Sequence, residues 1–249
     1  MDAFHLSCAC AVAFVVSIFS ITVGGTSLVT VPVLIFLGMA SRNAVATNMF
    51  ALIFLSLSGA FGFWRKNSGL RPKAILPLVL LTAAGSLAGA TLVLAIDNRV
   101  LRRIIAVMAV ILAGVLFVRK DLGVEQRRQK IVAPAWAAAA LLVFLLGIYG
   151  GFFSGGYVTL LSYVLVLLLG MDFLQAAFAT KVLNVFSSGI ACLFFFSHGL
   201  IDLSVGLPLA LSMAAGAFLG ARIAVSKGTR WVRALFIAVV LLLAIRIFF

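Results

Sequence analysis

The chain has 249 residues, 65% of them hydrophobic and only 10% charged, with a formal net charge of +13 and a mean hydropathy of +1.29. Soluble chains carry about 25% charged residues, and a soluble domain cannot hide so much apolar surface; an integral membrane protein is the class left. Nucleic acid is a poor partner despite the charge, because the basic residues lie in short loops between apolar runs, where they orient a chain in the bilayer.

Runs of about 20 apolar residues, enough for a helix to cross hydrocarbon, are predicted in chain order at 3–23, 43–64, 74–96, 100–118, 133–153, 173–196, 203–225 and 231–249. The first has no Lys or Arg before Arg42 and no small-residue cleavage site behind it, so it is expected to stay in the mature protein. Two shorter apolar stretches, 27–39 and 157–171, each follow a glycine pair. The one sizeable polar loop, RKDLGVEQRRQK at 119–130, divides the chain near its midpoint. The expected organisation is a first transmembrane repeat over 1–118, a basic cytoplasmic linker over 119–132 and a second transmembrane repeat over 133–249. Cys8, Cys10 and Cys192 all fall in apolar segments, without the neighbours a metal site or disulfide framework needs, and read as packing residues. No cofactor or metal is called for.

The two halves repeat each other. GGTSLVTVPVLIFLGM (24–39) aligns with GYVTLLSYVLVLLLGM (156–171), Ala46-Thr47 with Ala179-Thr180, AAGSLAGA (83–90) with AAGAFLGA (214–221), and NRVLR (98–102) with TRWVR (229–233). The expected fold is therefore all-α, two tandem repeats in inverted orientation, each of four full-length helices plus one short Gly-interrupted segment. Charge supports the inversion. If the short segments cross, loops 65–73, 119–130 and 222–233 share one face with thirteen Lys/Arg, leaving five (Arg42, Arg99, Arg102, Arg103, Arg246) at the other and Lys181 inside. If they only dip and return, the halves are parallel and the split is ten against eight; the positive-inside rule prefers crossing. Against it stands length, since thirteen helical residues reach only about 20 Å of a core of about 30 Å.

Gly-interrupted segments at matching positions of two repeats point to a transporter's binding site. A broken helix frees backbone N–H groups that lipid cannot satisfy, so Gly24, Gly25, Thr26 and Ser27, with Thr47 and Asn48 beside them, are candidates for one half of a substrate site. Gly155, Gly156, Thr180, Lys181 and Asn184 are candidates for the other. The competing reading is that these glycines only let helices approach closely. That is the reading given to Gly85-x-x-x-Gly89 and Gly216-x-x-x-Gly220. All six acidic residues lie at segment ends or in loops, so a carboxylate proton relay has no candidate. Lys181 is different: eight residues beyond Phe173, roughly 12 Å into its span, with Asn184 and Ser188 on the same face at i+3 and i+7. An unpaired cation at that depth suits an anion; the alternative is that it snorkels to the interface.

At these residues the sequence resembles the TauE/SafE family of sulfite exporters. The resemblance rests on the Gly-rich GGTSLVTVPVLIFLGM, Ala46-Thr47-Asn48, the second-half ATKVLN at 179–184, and the repeated Gly-x-x-x-Gly-Ala. It implies a multi-pass permease of the bacterial inner membrane, exporting small sulfur-containing anions such as sulfite or organosulfonates by alternating access, with no covalent chemistry. A small anion and the lipid bilayer are then its partners, and a homo-oligomer is left open. A passive anion channel, an enzyme acting on lipid phosphates and a structural subunit are the alternatives; the enzyme would lack a general acid or base at mid-depth.

Overall fold

The computed structural model describes residues 2–64, 72–118 and 133–227. They form nine helices: α1 (Ala3–Val23), α2 (Ser27–Phe36), α3 (Ser41–Trp64), α4 (Pro72–Ala95), α5 (Asn98–Val118), α6 (Ala133–Phe152), α7 (Tyr157–Leu169), α8 (Phe173–Ser197) and α9 (Leu203–Lys227). The linker at 119–132, most of the loop at 65–73 and the last predicted segment, 231–249, lie outside the described residues. Six of the described helices, α1, α3, α4, α6, α8 and α9, are long and apolar enough to cross a membrane. This is an all-helical, multi-pass membrane protein.

Its solvent preference is inverted relative to a soluble fold. Phe61 on α3 and Leu193 on α8 are 72% and 69% exposed, with Leu80, Leu141 and Leu211 similarly outward. Ser20, Thr26, Ser27, Thr47, Asn48, Ser56, Thr82, Ser86, Lys181 and Asn184 are buried. Helices in lipid gain nothing by hiding leucine; they associate through close packing and interhelical hydrogen bonds.

The two halves are packed through one another. From the first half α1 and α3 lie on α9, and α4 lies on α6 and α8, while α3 and α8 meet at the centre. Glycine makes the α4–α6 seam. A Cβ on Gly85 or Gly89 would strike the carbonyl oxygen of Phe144 or Ile148, and one on Gly151 would strike that of Ser86. Across the α1–α9 seam, Gly216 and Gly220 face the carbonyls of Phe14 and Ile18 in the same way. The predicted GxxxG motifs are thus packing surfaces, and Gly147 and Gly151 of α6 are their partners on the other side.

Contacts fix helix directions. Along α3 and α9, Phe50 sits by Gly206, the Ser58 hydroxyl donates to the Ala214 carbonyl (2.7 Å), and Gly62 meets Ala221, so these two run parallel. The ascending pairs Phe14 with Gly216 and Ile18 with Gly220 make α1 parallel to α9 as well. Along α3 and α8 the order reverses: Gly59 lies by Lys181, Ser56 by Asn184, and Thr47 by Asp202 just past the end of α8. Those two are antiparallel. Because α1 and α3 point the same way, α2 must carry the chain back between them.

That return is short. At 10 and 13 residues, α2 and α7 reach only about 15 and 20 Å as helix. Both are shorter than predicted at their C-terminal ends, where the aligned Gly38-Met39 and Gly170-Met171 terminate them. At α7 the capping Gly170 is left-handed (φ 61°) and the Met171 N–H closes onto the Leu165 carbonyl at 3.2 Å, a glycine-terminated helix end. The second interruption is also narrower than the sequence suggests. Gly150 and Gly151 remain helical within α6, and the break occupies only 153–156.

Candidate functional site

The first break begins where α1 ends, with Gly24 capping it through an N–H bond to the Ser20 carbonyl. Three residues later α2 starts at Ser27, which leaves its first N–H groups without intrahelical acceptors. Among the described residues nothing accepts from the N–H of Gly25, Thr26 or Ser27; the first bonds of the turn are Leu28 N to Gly25 O (2.9 Å) and Val29 N to Thr26 O (3.1 Å). These free donors sit at the positive end of the α2 dipole, in buried surroundings.

Side chains tie this turn in place. Asn48 uses both ends of its amide: Oδ1 accepts from the Thr30 hydroxyl at 2.6 Å, and Nδ2 donates to Ser27 Oγ at 2.9 Å. The Thr26 and Ser20 hydroxyls bond each other at 2.5 Å. Thr47, predicted to stand with Asn48, is committed elsewhere: its hydroxyl accepts the Asp202 N–H at 3.1 Å, pinning the α8–α9 connection to α3. Sequence reasoning missed Thr30. Its signal was there, one turn after Thr26 in an otherwise apolar helix.

The second break is built on tyrosines. Ser154 and Gly156 both adopt left-handed backbone, and the Tyr149 hydroxyl donates to the Gly155 carbonyl. Tyr157, fully buried, shares a hydrogen bond with Thr82 of α4 at 2.5 Å, while Ser86 Oγ donates to the Ser187 carbonyl at 2.6 Å. Neither tyrosine was foreseen: the partner of Tyr157 lies on another helix, and that of Tyr149 is a backbone carbonyl of the break itself.

The two breaks meet. A Cβ on Gly24 would lie 2.7 Å from Thr159 Oγ1 and 2.9 Å from its backbone nitrogen, and one on Gly155 would lie 2.7 Å from the Leu28 side chain. The N-terminal turns of α2 and α7 therefore abut. Gly24 provides the close approach, to protein rather than to open space, and its φ of 79° with ψ near 180° is a conformation essentially confined to glycine.

Lys181 and Asn184 lie on the α8 face toward α3. Lys181 is 1% exposed and has no hydrogen-bond or ion-pair partner among the described residues. Its Cδ passes 3.6 Å from the point a Gly59 Cβ would occupy, a point that Ile21 of α1 also crowds. The lysine thus reaches toward the end of α1, three residues before the first break. Snorkelling is not what this side chain does. Asn184 Nδ2 donates to Ser56 Oγ at 2.7 Å. Thr180 turns its hydroxyl back to the Ala177 carbonyl (3.0 Å).

The chain matches the family model described as sulfite exporter TauE/SafE over residues 9–247. It is 29% identical to the probable membrane transporter protein ORF9 of Sinorhizobium sp, covering 98% of this chain and 93% of that one. It is 30% identical to a probable membrane transporter protein of Haemophilus influenzae, with 89% and 86% covered, and 28% identical to the probable membrane transporter protein YfcA of Escherichia coli K12, with 87% and 79% covered. No solved structure matches it. This helical membrane bundle, broken twice at glycine and matched over residues 9–247, belongs to the TauE/SafE family of membrane transporters.

Proposed function

We propose that this transporter moves a small sulfur-containing anion, sulfite or an organosulfonate, across the membrane by alternating access between two inverted repeats. The observation that carries the reading is Lys181: a buried lysine with no counter-charge among the described residues. A lone ammonium in such a place is costly unless something anionic joins it. The free N–H groups of Gly25, Thr26 and Ser27 add positive potential at the end of α2, and Asn48 holds that turn open. The description of the family, sulfite exporter, supports the substrate class. Inversion is supported by α3 and α8: the sequence alignment makes them equivalent, yet they run antiparallel.

In this mechanism the loaded site is electrically neutralised by Lys181, the backbone donors orient the anion's oxygens, and rocking of one repeat against the other exposes the site to each face in turn. Purified protein in proteoliposomes, offered sulfite and a panel of small anions, tests it. Saturable sulfite or sulfonate flux is expected from the native chain. Lys181→Met should lose that flux while melting no lower, since the apolar chain fits a buried position. Full flux by Lys181→Met would remove Lys181 from the site, and non-saturating flux would favour a passive channel.

A further inference from the structure

We infer that the α8 face beyond Lys181 is a second subsite, in which Asn184 and Ser188 read a polar group carried on the tail of the transported anion. The inference rests on the anion site proposed above. Among the described residues, two buried polar atoms on this face lack partners: Asn184 Oδ1 and Ser188 Oγ. Their residues are 2% and 1% exposed, so bulk solvent does not reach them. Buried polar atoms are nearly always paired, and an orphan calls for an explanation. A third orphan, Ser17 Oγ, lies at the α1–α9 seam beside Gly216 and takes no part.

The spacing says what would fit. Asn184 and Ser188 follow Lys181 at i+3 and i+7, roughly 4.5 and 10.5 Å along the helix axis. The lysine stem leans toward Gly59, one turn past Ser56 in the direction away from Ser188, because α3 and α8 are antiparallel. An inorganic oxyanion seated on the ammonium is too short to reach Ser188. An organic anion with a two- or three-atom tail is long enough. Chemistry narrows it further. One Nδ2 hydrogen of Asn184 goes to Ser56, and the atom of its amide left without a partner among the described residues is the Oδ1 acceptor, while a serine hydroxyl both donates and accepts. A tail hydroxyl satisfies the two together.

Matched substrates test this: ethanesulfonate, 2-hydroxyethanesulfonate and sulfite, compared by kcat/KM in proteoliposomes. The native chain is expected to prefer the hydroxylated sulfonate over ethanesulfonate by at least roughly tenfold, a lower bound beside the roughly 10⁴–10⁵-fold that a site built to bond a hydroxyl can reach. Ser188→Ala, which removes one hydroxyl that bonds nothing among the described residues, should bring that ratio to about one. A merely structural role would lower both rates and leave the ratio intact, which overturns the inference. So does transport of sulfite alone, which leaves the anion site standing but refutes the subsite. If none of the three is transported, the anion site itself falls, and the subsite with it.

Discussion

Gly89 gives the sharpest test of the packing. A Cβ there would collide with the Ile148 carbonyl oxygen and lie 2.8 Å from the Phe152 nitrogen and 2.9 Å from the Ile148 carbonyl carbon, where ordinary contact begins at 3.4 Å. These are backbone atoms of α6 and cannot rotate aside. In Gly89→Ala the two helices must part by on the order of 1 Å, and a gap of that size forfeits roughly a quarter to a half of each van der Waals contact along the seam. Overpacking of this kind costs about 1–3 kcal/mol. Alanine also gains about 1 kcal/mol over glycine in any helix interior, so the proper reference is Gly189→Ala on α8, where a Cβ meets nothing within 4 Å. That variant has the same propensity gain without the clash. At about 2–4 °C per kcal/mol for a chain of this size, the two should melt roughly 2–12 °C apart, Gly89→Ala the lower. Heating detergent-purified protein and reading the surviving monodisperse peak by fluorescence-detected gel filtration measures the gap. Coincident melting would show that α4 and α6 are not in backbone contact at Gly89.

Asn48→Leu takes from the buried Ser27 hydroxyl its amide partner and leaves the Thr30 hydroxyl only the Thr26 carbonyl at 3.1 Å, at a cost of about 1–3 kcal/mol, and the same thermal assay should show it clearly below the native chain. Gly24→Ala forces an L-residue into a glycine-only conformation against Thr159 and should reduce folded yield more than Gly189→Ala does. Asp202 caps α9, and the Ser204 hydroxyl, ahead of the opposing effect of burial, holds its carboxyl below the usual range. Its contribution is fully present above the unfolded-state value and is lost as pH falls through the lower folded one. Melting points on the acid side should therefore fall less steeply for Asp202→Asn than for the native chain.

How much of this was legible in sequence depends on whether a feature is local. The helices sit where the apolar runs are, because the requirement to satisfy every backbone group in lipid leaves few alternatives. The ends of α2 and α7 were marked by the duplicated Gly-Met pair, though not recognised as helix ends. Candidate residues in the first break came together as expected, because Ser27, Asn48 and Gly24 belong to one short stretch and its neighbour. The Tyr157–Thr82 bond, the Ser56–Asn184 bond and the interlocking of Gly85 and Gly89 with Gly147 and Gly151 were not legible. Helices that are apolar on every side carry no stripe to say which face meets which partner. Thr47 stands beside Asn48 in sequence, but adjacent helical residues point about 100° apart, and its hydroxyl accepts the Asp202 N–H.

The pairing of α1 with α9 has a consequence for how the protein is made. The carbonyls of Phe14 and Ile18 are complementary to Gly216 and Gly220, some two hundred positions later in the chain. At about 5–20 residues per second, α1 waits on the order of 10–40 s for the surface it was shaped to meet. During that interval its seam is covered by lipid or by the insertion machinery. The first half on its own lacks the surface that α1 packs on, and a ribosome that stalls before α9 releases a bundle in which α1 has never found that neighbour.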